Sequence, residues 1–301
     1  MRSTHLRLIT LVALSVAIAA CGGAKSSGPA ANLPVRVVND DMQRPVNVPV
    51  DVKRAVSLAP SVTENVFAVG AGDRLVGVTT FCNYPEEAKG IAKIGDTMTP
   101  NMEAIVALKP DVVLVSTASQ VEAFTKTLAQ NHIAVYVMDP ATLTDVFNSL
   151  ERLAALFGTT DKLQKVLPGL RNRAGDVELK AGNLPKTRVF VQISREPLFT
   201  IGKTAFLNDV INKAGGASVT ADVETAFPKL SKETASALDP EVIILSDSED
   251  DQEPNEAFKN SAAVKNGRVY KINADIISRP GPRLVDALEQ IAKDLHPERF
   301  K

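Results

Sequence analysis

Short continuous apolar runs alternate with stretches of helical period along this chain. Residues 112–116 (VVLVS) and 242–246 (VIILS) are unbroken and rich in β-branched side chains. Such runs predict strands buried on both faces, hence parallel ones. Residues 55–59 (AVSLA), 76–78 (VGV) and 188–193 (RVFVQI) predict further strands, and apolar runs recur at 131–139 and 266–273. Helical period appears at 144–157, where Val146, Phe147, Leu150, Leu153, Ala154 and Phe157 form one stripe that Gly158 ends. A second helical stretch covers 161–181, with Pro168 and Gly169 predicting that part of it is kinked or non-helical. Leu284–Leu295 predicts a closing amphipathic helix, and residues 35–50 a β-hairpin turning at Asn39-Asp40-Asp41.

The pattern occurs twice. Residues 101–116 (NMEAIVALKPDVVLVS) and 231–246 (SKETASALDPEVIILS) share six of sixteen positions at a constant offset of 130. In each copy a capping residue, Asn101 or Ser231, opens a short helix. A proline, Pro110 or Pro240, then ends it, because the residue before proline avoids the α region. The chain therefore predicts an α/β fold of two βαβ-type lobes with central, mainly parallel sheets, joined by a long rigid helix. The expected boundaries are 34–159 for the first lobe, 160–184 for the linker helix and 185–301 for the second lobe. A ligand cleft is expected between the lobes, outside the carboxyl ends of the strands.

The N-terminus changes where this fold is expected to work. Arg2 and Arg7 precede an apolar run at 8–20, too short to span a bilayer, which needs ~20 residues. The arrangement reads as a secretory signal. The ending Ile18-Ala19-Ala20-Cys21 resembles a lipobox, which implies cleavage of residues 1–20 and acylation of Cys21. Residues 21–33, small and polar, read as a flexible tether. The expected product is periplasmic or on the cell surface, held to the membrane through its N-terminal lipid. Loss of the leader would leave 32 basic and 35 acidic residues, a balance that points to no nucleic-acid partner. Cys82 would then be the one unacylated thiol.

Few residues are equipped for catalysis. Beyond the leader the chain has two histidines, His132 and His296, and no Gly-x-Ser-x-Gly elbow. Gly70-Ala71-Gly72 lacks the third glycine of a dinucleotide loop. The acidic run 247–253 (DSEDDQE) has Gln252 where a calcium-binding loop needs glycine, and reads as a solvated loop. Cys82 has no nearby histidine and reads as a small wall residue of the pocket, not a metal ligand. No metal, cofactor or catalytic residue is expected. The competing class is a secreted lipoprotein enzyme using the acidic loop and Arg279.

One local motif has a physical reading of its own. Ser61 with Glu64 three residues on predicts a capping box at the start of the first helix. Together with the flanking Ser57-Leu58-Ala59-Pro60, Val76-Gly77-Val78, Asn83-Tyr84-Pro85 and residues 103–111 (EAIVALKPD), this stretch resembles the helical-backbone class of ABC-transporter solute-binding proteins. Within that class the likeness is greatest to the vitamin B12 binders. The resemblance implies a permease dimer as partner, and a corrinoid ligand such as cobalamin. Heme and ferric siderophore are variants bound by the same class.

The resemblance also implies roles for particular residues. Phe81, Phe199 and Phe227 would stand as aromatic pocket residues, with Asp275 and Arg279 as a polar pair meeting the ligand's amide rim. Thr97 stands where the vitamin B12 binders have another tryptophan, and this chain has no Trp. Tyr84 is the cleft candidate for an axial ligand, should heme be the cargo. Glu103 and Glu233 occupy equivalent first-turn positions, which suit a helix dipole. The resemblance implies that this pair docks onto arginines of the two permease subunits.

Overall fold

The computed structural model describes residues 34–117 and 121–300. The expected signal, Cys21 and the tether lie outside them. The chain opens with strands β1 (Val35–Asn39) and β2 (Pro45–Pro49), an antiparallel hairpin. Its turn is stapled down by two acids. The fully buried Asp40 accepts hydrogen bonds from the Arg44 backbone N–H and Nε, at 2.9 and 2.8 Å. Asp41 accepts from Ser149 Oγ at 2.6 Å, Arg152 Nε at 2.9 Å and the backbone N–H of Asp139 at 3.0 Å.

The first lobe follows as β3 (Ala55–Ser57), α1 (Pro60–Ala68), β4 (Leu75–Val78), α2 (Met102–Ala107), β5 (Val112–Ser116), α3 (Val121–Gln130) and β6 (Ala134–Met138). The sheet has the order β4-β3-β5-β6 and is parallel throughout. Val112 to Val115 of its central strand are completely buried, which accounts for their unbroken apolar run.

After β6 come α4 (Leu143–Phe157), within the expected first lobe, and α5 (Thr160–Leu163) and α6 (Leu167–Ala181), which occupy the expected linker at 160–184. Thr142 caps α4, its hydroxyl accepting from the Asp145 N–H, and Gly158 ends it in the left-handed region at φ 66°. The 161–181 stretch is non-helical at 164–166, between α5 and α6, just ahead of Pro168. That proline sits in the first turn of α6, where a missing N–H leaves nothing unsatisfied.

The second lobe contains β7 (Thr187–Ser194), β8 (Phe199–Thr200), α7 (Leu207–Lys213), β9 (Gly216–Ser218), α8 (Lys232–Ala237), β10 (Val242–Asp247), α9 (Ala262–Lys265), β11 (Val269–Asn273), α10 (Ala274–Ile277) and α11 (Leu284–Leu295). Strands β11, β10, β7 and β9 are parallel, and β8 adds an antiparallel edge to β7.

The sequence repeat is carried down to single bonds. Lys109 and Asp239 both hold positive φ, 47° and 39°, immediately before Pro110 and Pro240. Non-glycine residues seldom take this region, so the surroundings must hold them there. They do so in the same way twice. Arg54 Nη2 donates to the Leu108 carbonyl at 2.7 Å, and Arg188 Nη2 donates to that of Leu238. Asp111 accepts from the Arg54 N–H at 2.9 Å, and Glu241 from the Arg188 N–H at 2.7 Å.

The lobes share one core. It runs from Val112 and Leu114 of the first sheet, through Leu150 and Leu153 of α4, to Val189, Ile244 and Leu288 in the second lobe. Separate clusters lie on the far faces, around Ile105 and Leu128 in one lobe and Phe190 and Phe258 in the other. Shared burial of this kind opposes large lobe rotations, since close-packed interiors deform little. Among the described residues no helix is long and apolar enough to cross a membrane.

Candidate functional site

A cavity of about 730 Å³ lies between the lobes. One wall is built at the carboxyl ends of the first sheet: Ser116 ends β5 and Thr117 follows it, Met138 ends β6 and Asp139 follows it, and Pro60, Ser61 and Asn65 enter from α1. Phe81 and Thr97 complete that side. The opposite wall carries Phe206, Phe227, Asp275, Ser278 and Arg279. Phe81 and Phe227 are 58% and 52% exposed. Large aromatic side chains left open in a concave site are surface prepared for a ligand.

Of the residues singled out from the sequence, Phe81, Phe227, Asp275 and Arg279 line this cavity. Phe199 does not. It sits in β8, half-buried and opposite Ser194 of β7. Phe206, just ahead of α7, lines the cavity instead. Tyr84 is also off the wall, its ring stacked under the Arg283 guanidinium at 4.1 Å. Cys82 is buried in the core beneath the cleft, where the Thr63 and Thr79 hydroxyls lie 3.1 Å from its sulfur.

Ser61 and Glu64 form no capping box. Pro60 occupies the first helical position, so α1 starts earlier and Ser61 falls inside it. Glu64 instead points into the lobe interface, its side chain 2% exposed. Arg283 grips it with two bonds, Nε to Oε2 at 2.8 Å and Nη2 to Oε1 at 2.5 Å. Arg279 Nη1 donates to Glu64 Oε1 at 2.9 Å and to Asn83 Oδ1 at 2.7 Å. Its Nη2 donates to Asp275 Oδ1 at 2.6 Å, and Asn83 Nδ2 donates to Asp275 Oδ2 at 2.9 Å. Two acids and two guanidiniums thus form a neutral cluster across the lobes. Asn65 adds a bond to the Pro280 carbonyl at 3.3 Å, while its buried Oδ1 meets no partner among the described residues.

The acidic run 247–253 departs from a solvated loop at one position. Asp251 is fully buried, accepting from Gln192 Nε2 and from the Ser246 N–H at 2.9 Å. Burial pushes its carboxyl above the usual range. Among the described residues no group of three His, Cys, Asp or Glu side chains is placed to hold a metal ion.

Glu103 and Glu233 are both exposed, in the first turns of α2 and α8. Asn101 caps α2 through the Ala104 N–H at 2.9 Å, and Ser231 caps α8 through the Thr234 N–H at 3.1 Å. The Glu233 carboxyl lies below its usual range, held by its own backbone N–H and the Ser231 hydroxyl.

Comparison with known proteins agrees with this architecture. Residues 56–276 match the family described as periplasmic binding protein. The chain is 30% identical over 306 residues to the uncharacterized ABC transporter substrate-binding lipoprotein YvrC of Bacillus subtilis, covering 97% of this chain and 96% of that one. It is 31% identical over 252 residues to the vitamin B12-binding protein of Vibrio parahaemolyticus, covering 83% and 92%. The crystal structure of the periplasmic vitamin B12 binding protein BtuF of Vibrio cholerae superposes with a TM-score of 0.74 at 29% identity, covering 84% of this chain and all of that one.

Proposed function

The chain belongs to the periplasmic binding protein family, and from that premise we propose that it captures cobalamin or a related corrinoid and delivers it to an ABC permease. It is an ABC transporter substrate-binding protein, of a family that binds solutes and does not transform them.

The observation that carries the corrinoid reading is the wall of the cavity. Three phenylalanines, Phe81, Phe206 and Phe227, give it broad apolar contact area. Among the described wall residues there is no His, Tyr or Cys to ligate a heme iron, and Met138 offers only a thioether. Among the described wall residues Arg279 is the single cation, already paired with two acids, so a polyanionic ferric siderophore finds no free counter-charge there. A large ligand with apolar faces and neutral amide edges suits such a surface. The vitamin B12-binding relatives support the same choice.

Delivery is assigned to Glu103 and Glu233. They are equivalent acids on the two lobes, displayed on capped helices, and suit a two-fold symmetric permease. Anchoring is assigned to acylation of Cys21, which mass spectrometry of the membrane-extracted protein would detect as a mass increase on an N-terminal peptide beginning at that residue. Absorbance titrations with cyanocobalamin, hemin and a ferric siderophore separate the ligand readings. Saturable binding of cyanocobalamin alone is the expected result. Tight hemin or siderophore binding without it refutes the corrinoid assignment.

A further inference from the structure

The cleft places acids where a cation would be expected to greet an anionic ligand. We propose that Glu64 and Asp275 make the cleft selective for uncharged, N–H-bearing ligands by neutralising Arg279 on the cavity wall. This inference uses the corrinoid reading above only in its choice of probes.

Arg279 projects from the second lobe onto the wall, yet its side chain is only 10% exposed. Nη1 is bound to Glu64 and Asn83, and Nη2 to Asp275. Three of its five N–H donors are therefore committed before a ligand arrives, and its charge is matched. Arg283 is consumed in the same way, held by both oxygens of Glu64 and by the face of Tyr84. What the wall leaves open is acceptor capacity. Asp139 receives the Thr117 hydroxyl on Oδ1 at 2.5 Å, and Oδ2 faces no described donor on the wall. A ligand amide N–H satisfies such an acceptor, while a ligand carboxylate is repelled by Asp139 and finds the Arg279 charge already matched. Glu64 touches no cavity surface of its own and acts through Arg279, as a positioning residue.

The test compares probes differing in charge. Cyanocobalamin, its monocarboxylate (one side-chain amide hydrolysed to the acid) and hemin, with two propionates, are titrated into wild-type, Glu64→Gln and Asp275→Asn protein. Wild type is expected to prefer cyanocobalamin over the monocarboxylate by about tenfold, a ratio set by one charge near a partly screened site. Each variant leaves the cluster with one net positive charge. Each should reduce that ratio about tenfold and strengthen hemin binding in the same sense. The Asp275 side chain is 39% exposed, so Asp275→Asn keeps the test alive if Glu64→Gln folds poorly. A merely structural role would move neutral and anionic probes in parallel, and that result overturns the proposal. If wild type binds no corrinoid, the corrinoid reading falls and hemin alone decides. Stronger hemin binding in either variant upholds charge neutralisation, and unchanged binding in both overturns it.

Discussion

Truncating Phe81 or Phe227 separates a ligand platform from a core residue by magnitude. A phenylalanine side chain offers roughly 200 Å² of surface. With 58% and 52% of these two residues exposed in the empty cleft, roughly 100 Å² of each ring remains to be covered. At about 25 cal/mol per Å², covering that area contributes about 2.5 kcal/mol to binding, or about sixtyfold in Kd. Phe81→Ala and Phe227→Ala should each weaken cyanocobalamin binding by about that factor. The rings stand on opposite walls with no shared partner, so the double variant should approach the product of the two effects. Stability should barely change, since a half-exposed ring has little burial to lose; a core phenylalanine would cost about 3–5 kcal/mol. Calorimetric titration measures the affinity, and thermal unfolding followed by circular dichroism measures the stability. Affinity changes below twofold in both single variants, with folding intact, would refute the reasoning.

Other perturbations probe other parts of the molecule. Glu64→Ala leaves two guanidiniums facing each other at the lobe interface and should cost about 3–5 kcal/mol, lowering the melting temperature by about 10 °C. Glu103→Ala combined with Glu233→Ala should abolish stimulation of the transporter ATPase in proteoliposomes while leaving ligand affinity unchanged; undiminished stimulation would remove the docking assignment. Burial raises the Asp294 carboxyl from 3.8 to about 6, and its Oδ2 meets no hydrogen-bond partner among the described residues. A raised carboxyl favours the protonated fold, so stability falls as pH climbs from about 4 to 6 and the penalty persists above. Asp294→Asn should therefore stabilise the protein at pH 7.5 by about 1 kcal/mol, allowing for solvent screening, and by much less at pH 4. An equal effect at both pH values would argue against the ionised carboxylate as the cause.

The repeat was legible because its determinants are local. Asn101 and Ser231 cap helices three residues on, and Pro110 and Pro240 act on their immediate neighbours. The continuous runs at 112–116 and 242–246 announce buried parallel strands by composition alone. Glu64 shows where locality fails. Its spacing from Ser61 imitates a capping box, but its partners Arg279 and Arg283 lie 215 and 219 positions away. Pro60 carried the available warning, since a proline ahead of Ser61 moves the helix start upstream. Phe199 and Phe206 are the same residue type seven positions apart. Only the pairing of β8 with β7 turns one away from the cavity, and pairing is a long-range property. Asp251 was hidden among solvated acids, its burial set by Gln192 across the sheet.

The central claim is that the cleft between the lobes receives a corrinoid. Isothermal titration of the purified protein with cyanocobalamin tests it most directly, because it reports stoichiometry and heat-capacity change together. One molecule should bind per chain with a negative heat-capacity change from covering the phenylalanine walls, and that signal should be lost in the Phe81→Ala, Phe227→Ala double variant. No heat and no saturation with cyanocobalamin, in a preparation that binds hemin or a ferric siderophore one to one, would contradict it.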